Sequence, residues 1–346
     1  MGISRGLAAR GALVCLTVGS VAAFGASTTV SAQDFKGKQV KVIVGSGTGG
    51  GYDGHARLLA RHMPKYLQGN PTFIVQNMPG AGSLNAANYL YGVAPKDGTV
   101  FGTTHRFVPI YPLLEMEGAK FDASKYTYIG SSGSEVGTCV AWHTAGFKTF
   151  ADMQNRELIV GTTGAGAQLT TFYAALANVA GAKLKVISGY KSSRDLNLAM
   201  EKGEIQGRCG ASYGSLKAEA TALLEEKKLD ILLQLGLNKD RDLPDVPLLM
   251  EVVKDKERYK DAFELLLTPA SVARPFFGPP DIPQPTVEAL RNAFDATMKD
   301  PKMLAEAETQ RFEIQATKGK DIQLIVERLY KAKPETVALA KELVQD

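Results

Sequence analysis

The sequence has few of the residues that build metal centres. Its 346 residues include only three cysteines and four histidines. His55 and His62 are seven positions apart, and no His-Glu-x-x-His pair or other zinc-like spacing occurs. We therefore expect no metal and no cofactor.

An excess of charge of one sign is also missing. The chain has 40 Lys and Arg against 36 Asp and Glu, a formal charge of +4. Arg5 and Arg10 are its only charged residues before Asp34, and without those two charges +2 remains. This balance gives no support for nucleic acid or an anionic membrane as a partner.

No apolar run is long enough to span a membrane. The run Ala12–Phe24 falls short of the ~20 residues required. It follows two arginines and precedes Val30-Ser31-Ala32, a pattern typical of a signal peptide, residues 1–32, cleaved after Ala32. We therefore expect an exported protein. Its remaining cysteines, Cys139 and Cys209, either pair or stay as buried thiols, and the sequence leaves both open.

Glycine is abundant and follows strand-like segments. The apolar run Val40–Val44 leads into the glycine-rich Gly45–Gly51 and then a helical pattern from about Gly54. The same order recurs with strand Thr72–Val75 and turn Gln76–Ser83. A third strand follows, which predicts a parallel sheet with a ligand crevice at the carboxyl ends of its strands. Glycine turns that open helices offer amide groups to an anion.

The middle of the chain predicts a second α/β unit with its own glycine-rich strand ends. The polar stretch Leu237–Pro247 is interpreted as the crossing back to the first unit. Beyond it, Phe263–Leu267 and Ala273–Phe277 are predicted to be extended. The first domain is therefore expected to be discontinuous, with the second inserted into it.

The sequence matches two functional motifs by spacing, one for dinucleotide binding and one for a nucleophile, but the residues around each match argue against it. Gly45-x-Gly47-x-x-Gly50 fits a dinucleotide fingerprint, but Gln76 and Asn77 occupy the end of the second strand, where an acidic residue is needed. Gly210-Ala-Ser-Tyr-Gly214 fits a nucleophile elbow around Ser212. Every histidine precedes Ser212, whereas that fold places its histidine afterwards. A serine hydrolase therefore remains only an alternative.

Several single side chains allow two interpretations. Asp53 could be a base, but its position favours a helix N-cap. His105 follows a strand end and lies either in the crevice or on a loop surface. Tyr190 and Lys191 are placed to touch a ligand at another strand end; the alternatives are a ring packed on the sheet edge and a solvated lysine.

The chain resembles one known family over almost its whole mature length. The segments that carry the resemblance are GSGTGGGYDGHARLLARHM, VQNMPGAGSLNAANYL, APKDGT, GTTGAG, GYKSS, LNLAMEKGEIQG, LPDVP and GPPDIPQPTVEALRNAF. They are similar to the tripartite tricarboxylate transporter substrate-binding proteins, the Bug or TctC-like receptors. The resemblance implies a periplasmic binding protein type II-like fold, with two α/β lobes and a ligand cleft between them. Lobe 1 would comprise residues 33–135 and 245–346, and lobe 2 residues 136–244.

The resemblance also implies a function. It is that of a periplasmic, monomeric receptor without catalytic activity, which closes on a small organic acid and delivers it to a membrane permease. Service to a two-component sensor is an alternative with the same fold.

The implied ligand site combines loops of both lobes. Asp53 and His105 are added from their positions near strand ends. The implied contacts of lobe 1 are Gly47, Thr48, Gly49 and Gly50 with Pro79, Gly80, Ala81 and Gly82; those of lobe 2 are Thr163, Gly164, Ala165, Tyr190 and Lys191. The sequence departs from the family pattern in lacking prolines in the first loop and an aspartate motif at Cys209–Gly214.

Overall fold

The computed structural model describes residues 1–3, 34–163 and 168–344. The chain divides into two units, Met1–Ser31 and Ala32–Asp346, and the fold below is that of the second. The predicted signal peptide and its cleavage site, apart from residues 1–3, lie outside the described residues, as do Gly164 and Ala165. Among the helices described, none combines the length and apolarity needed to cross a membrane.

The strands form two separate sheets. The strands are β1 (Gln39–Val44), β2 (Thr72–Asn77), β3 (Val100–Thr103), β4 (Thr127–Ser131), β5 (Gly137–Trp142), β6 (Leu158–Thr162), β7 (Leu184–Ser188), β8 (Gly207–Ser212), β9 (Leu229–Leu235), β10 (Pro275–Gly278) and β11 (Thr317–Lys318). Within the described residues, the first sheet has the order β11-β4-β10-β3-β1-β2 and the second the order β7-β6-β8-β5-β9. The first sheet thus takes strands from both ends of the chain, and the second takes a contiguous middle segment.

Helices cover these sheets. They are α1 (Gly51–His62), α2 (Leu84–Gly92), α3 (Phe150–Asn155), α4 (Gln168–Ala180), α5 (Ser193–Glu201), α6 (Tyr213–Glu219), α7 (Thr221–Glu225), α8 (Leu249–Val252), α9 (Lys256–Leu267), α10 (Gln284–Thr297), α11 (Pro301–Thr309), α12 (Gly319–Leu329) and α13 (Pro334–Val344). The C-terminal α13 packs against α9 and α4.

The predicted parallel pairing at the start of the chain is confirmed. Strand β1 runs parallel to both β2 and β3, with Val42 opposite Val75 and Phe101. Val42 belongs to a buried cluster with residues of α1 and α10, and Ile43 points into a second cluster with residues of α2. Because helices cover both faces at its C-terminal end, Val42, Ile43 and Val44 are all apolar and buried, whereas Gln39 and Lys41 are exposed.

A disulfide ties the centre of the second sheet. Strands β5 and β8 are antiparallel neighbours with Cys139 opposite Cys209. Their sulfur atoms are bonded at 2.09 Å, across a sequence separation of 70 residues.

Two local predictions are wrong. Phe263–Leu267, predicted to be extended, is the last turn of α9, whose N-cap Asp255 accepts a hydrogen bond from the Arg258 amide. A short apolar run fits a buried strand or a buried helix equally well, so the pattern could not separate them. Helix α1 begins at Gly51 with Gly50 as its N-cap, so Asp53 lies inside the first turn rather than at the cap.

Candidate functional site

A cavity of about 380 Å³ lies where loops of the two sheets meet. On the first sheet it is bounded by the segments that follow β1, β2 and β3, and on the second by those that follow β6, β7 and β8. These are the carboxyl ends of the strands, where ligands bind in open α/β sheets.

The first glycine loop is fixed from behind by Asp53. This carboxylate is 2 % exposed and accepts hydrogen bonds from the Gly49 amide, Arg57 Nε and Asn77 Nδ2, each at 2.9 Å. Asn77 Nδ2 also donates to the Ser46 carbonyl at 3.0 Å. Burial alone raises the pKa of Asp53, but these bonds outweigh it and leave the pKa below its ordinary value. Asp53 therefore anchors the loop as a carboxylate.

The same loop packs directly on the other half of the molecule. A Cβ atom at Gly47 would lie 3.2 Å from the Lys191 carbonyl oxygen. One at Gly51 would lie 2.4 Å from Ser215 Oγ of that other half, and 2.8 Å from Arg274 Nη2 of its own half. The run of glycines is thus explained by close approach of the two halves, since any side chain there would separate them.

The second glycine loop is held in a left-handed conformation. Gly80, Ala81, Gly82 and Ser83 all have positive φ, of 125°, 44°, 60° and 76°. Ser83 Oγ donates to the Gly45 carbonyl at 2.8 Å and accepts from the His105 amide at 3.2 Å. It joins this loop to the first loop and to the segment after β3, so the three cavity segments of the first sheet form one connected wall.

Three buried arginines line the cavity, and the sequence reasoning missed all of them. Arg106, Arg208 and Arg274 are 1–2 % exposed. Arg274 donates to Ser215 Oγ at 2.7 Å and forms an ion pair with Glu135. These contacts make Arg274 part of the cavity wall itself.

The Arg106 guanidinium has fewer hydrogen-bond partners than that of Arg274. Its Nη1 lies 3.6 Å from Glu135 Oε2, and its backbone amide donates to the Tyr52 hydroxyl at 2.9 Å. Among the described residues, its Nε and Nη2 have no hydrogen-bond partner. Burial lowers the pKa of Arg106, which is a measure of the cost of keeping this guanidinium away from water.

His105 adds a neutral group beside this cation. Burial, together with the charges of Arg106 and Arg274, lowers the pKa of His105 to about 4. Its Nδ1, like the hydroxyl of Ser46 on the first loop, lacks a hydrogen-bond partner in the described part of the chain. The cavity therefore presents several polar groups that a ligand or water would satisfy.

Ser212 has a structural role in this wall. Its hydroxyl accepts the Ser215 amide at 3.1 Å as the cap of α6 and lies 3.4 Å from Arg274 Nη2. The histidine hydrogen bonds found in the described residues lead elsewhere: His55 Nδ1 to Ser132 and His62 Nε2 to Glu306. No charge relay to Ser212 is formed by them.

The predicted site residues fall into three groups. Those that line the cavity are Gly50, Pro79, Gly80, Gly82, His105, Thr163, Tyr190 and Lys191. Those that do not are Gly47, Thr48, Gly49, Asp53 and Ala81, which support the loops or face the opposite half. Gly164 and Ala165 lie outside the described residues.

A signal for one missed arginine was present in the sequence. Arg106 directly follows His105 after β3, the same strand-end position that singled out the two glycine loops. Arg208 stands out as a charge within the otherwise small and apolar strand β8. Arg274 precedes the short β10 and reaches the cavity only through the antiparallel return of the chain to the first sheet, which no local pattern shows.

Comparison with known proteins identifies the fold. No protein-family model and no curated protein sequence matches the chain. Solved structures do match it: the periplasmic binding protein BugD superposes with a TM-score of 0.68 at 20 % identity, covering 89 % of this chain and 98 % of BugD. Rpa4515 of R. palustris with adipate gives 0.68 at 17 % identity, with 89 % and 98 % covered.

MatC of Rhodopseudomonas palustris with bound malate gives a TM-score of 0.66 at 18 % identity, covering 89 % of this chain and 99 % of MatC. The chain therefore has the periplasmic binding protein fold, with two α/β lobes and a cleft between them. The matching proteins include Bug and TctC-type members, the family that the sequence motifs resemble.

Proposed function

We propose that this protein is a periplasmic solute receptor that captures a small organic acid and delivers it to a membrane permease of the tripartite tricarboxylate type. The observation that carries the proposal is the charge of the cavity. Its described lining includes Lys191 and three arginines and contains no aspartate or glutamate. A cavity of this sign attracts anions and rejects cations.

The geometry favours a carboxylate among anions. The N-terminus of α1, at Gly50 and Gly51, opens into the cavity and contributes a partial positive charge worth about 0.3–1 kcal/mol for an anion, or more where water is excluded. The volume suits a small molecule, since pockets for drug-sized ligands begin near 300 Å³. Rpa4515 with adipate and MatC with malate are precedents for carboxylates in this fold.

The proposed capture step is closure of two lobes, 33–135 with 245–346 and 136–244, around the ligand. The contact of the glycine loop with Lys191 and Ser215 supports a closed arrangement in which bulk water is excluded. The export signal of residues 1–32 and a monomeric state belong to the same proposal. So does the absence of catalysis, which is supported by the use of Ser212 as a helix cap.

A thermal-shift screen of the mature protein tests this function. The panel contains acetate, pyruvate, benzoate, succinate, malate, adipate and citrate, with glucose, glycine betaine and spermidine as neutral, zwitterionic and cationic controls. At least one acid is expected to raise the melting temperature in a concentration-dependent way, because ligand bound only to the folded state stabilises it. Stabilisation by the controls and by no acid would refute the carboxylate proposal.

The delivery step needs a separate measurement. Uptake of the stabilising acid in cells that contain the permease should require the receptor. Uptake that is unchanged when the receptor is deleted, with the acid still bound in vitro, would point instead to a sensory role.

A further inference from the structure

The hydrogen-bond pattern of Arg106 points to a direct ligand contact. Its side chain is 1 % exposed, yet Nε and Nη2 have no hydrogen-bond partner among the described residues. An unsatisfied buried donor destabilises the protein, and more strongly when the group is charged. Arg106 lines the cavity, so a bound molecule can satisfy these donors there.

The identity of the two unpartnered atoms is informative. Nε–H and Nη2–H lie on one edge of the guanidinium plane and point in the same direction, which is the side-on fork that takes both oxygens of a carboxylate. The remaining end, Nη1, faces Glu135 Oε2 at 3.6 Å. Glu135 therefore holds the Nη1 end of the guanidinium, and the bidentate edge keeps two donors without a partner among the described residues.

The fork lies close to the backbone of β5. A Cβ atom at Gly137, the first residue of β5, would come within 3.1 Å of Nη2. The Arg106 amide donates to the Tyr52 hydroxyl, which holds the start of the side chain against α1. Both lobes thus contribute to the position of one cation.

The local charge also calls for an anion. Arg106 and Arg274 share Glu135, so this cluster of three carries one uncompensated positive charge. The neighbouring His105 cannot compensate it, because a neutral imidazole carries no negative charge. A ligand carboxylate would supply the missing charge and the missing acceptors together.

We propose that Arg106 binds a carboxylate of the ligand directly and side-on, and that it selects acids over their neutral amides. This assignment rests on the proposed function and deepens it. It differs from recognition by backbone amides alone, because a guanidinium fork fixes the plane of the carboxylate as well as its charge.

The test is a comparison of acid and amide binding by calorimetry. The probes are the acid of the panel that gives the largest thermal shift and its neutral amide, for example malate with malamide or adipate with adipamide. Arg106→Met should weaken acid binding about 100-fold, as expected for loss of two charge-assisted hydrogen bonds. It should leave the much weaker amide binding almost unchanged, so that the acid-to-amide ratio falls.

Two further variants separate binding from folding. Arg106→Lys keeps the charge without the fork and should bind the acid about tenfold more weakly. Arg291→Met removes a half-buried arginine that donates to the Tyr128 carbonyl at 2.8 Å, outside the cavity, and should retain wild-type affinity. The melting temperature of unliganded Arg106→Met should fall less than that of Arg291→Met, because it removes donors that have no partner.

Each outcome decides the assignment. Acid binding by Arg106→Met within threefold of wild type, or equal loss of acid and amide binding, would overturn it and leave the receptor function intact. If Arg106→Met does not fold, wild-type acid binding by Arg106→Lys would overturn it instead. Failure of every panel acid to bind the wild-type protein would refute the proposed function itself.

Discussion

Replacement of Gly51 by alanine should weaken ligand binding more than it weakens the fold. The added Cβ would lie 2.4 Å from Ser215 Oγ, which belongs to the opposite wall of the cavity, and 2.8 Å from Arg274 Nη2, which comes from the same half as Gly51. Ser215 Oγ accepts a hydrogen bond from Arg274 Nη2, so it cannot turn away without losing that bond. The clash with Ser215 exists only where the two halves meet, so its cost falls on the closed state.

The size of the effect follows from overpacking. An extra carbon in a packed site costs about 1–3 kcal/mol. If this applies to the closed state alone, affinity falls about 5-fold to 150-fold, since 1.4 kcal/mol corresponds to a factor of ten. Gly51 has helical backbone geometry without a positive φ, so the helix itself favours alanine there by up to about 1 kcal/mol, which offsets part of the contact with Arg274 in the unliganded protein.

Gly54→Ala on the same helix is the matched control. Its Cβ would lie 2.4 Å from Phe312 Cζ, and Phe312 packs on the same core cluster as α1 rather than on the opposite wall. This variant should have a lower free energy of unfolding than the wild type and the same affinity for the acid. Urea denaturation and calorimetry with the stabilising acid measure both quantities. Wild-type affinity in Gly51→Ala, or equal destabilisation of the two variants, would refute the closure argument.

Three further predictions concern the residues that hold the site. Asp53→Ala should lower the free energy of unfolding by about 2 kcal/mol at pH 7, through lost hydrogen bonds. The folded-state pKa of Asp53 is below its ordinary value, so this contribution is present above pH 4 and disappears as the pH falls through the folded pKa. The variant should therefore show a shallower acid transition than the wild type. Parallel acid transitions of the two proteins would contradict this prediction. Reduction of the Cys139–Cys209 disulfide should cost about 4 kcal/mol for a 70-residue separation, measured by urea denaturation against a Cys139→Ser/Cys209→Ser variant that reductant does not affect; a loss below about 1 kcal/mol would reject it. The His105 imidazole signals in NMR should titrate near pH 4 and not near pH 6.5 in the unliganded protein.

The architecture was predictable because its signals are local. Strands such as Val40–Val44 are apolar runs that end in glycine turns, and this pattern predicted the parallel pairing of β1 with β2 and β3, though not the antiparallel strands β4, β10 and β11. The glycine loops were found for the same reason. Their packing was not, because the atoms that exclude side chains at Gly47 and Gly51 come from residues more than 140 positions later.

The electrostatics of the site could not be predicted in the same way. Glu135 and Arg274 are 139 positions apart and meet only after the chain has crossed between sheets and returned. Asp53 lies near a helix start, as predicted, but the helix begins three residues earlier than an N-cap at Asp53 would require. Its carboxylate therefore accepts hydrogen bonds from Gly49, Arg57 and Asn77 and not from the first amides of the helix. Contacts between residues so far apart in sequence, or so sensitive to where a helix begins, are determined by the assembled fold and not by local sequence patterns.

The distribution of strands between the sheets has a consequence for how the chain can assemble. The described strands of the second sheet lie between Gly137 and Leu235, so they emerge together during synthesis. The first sheet has β10 between β3 and β4, and β10 is not available until residue 278 has been delivered. The second sheet, with the disulfide that joins β5 to β8, can therefore form while the first sheet still lacks its central strand β10.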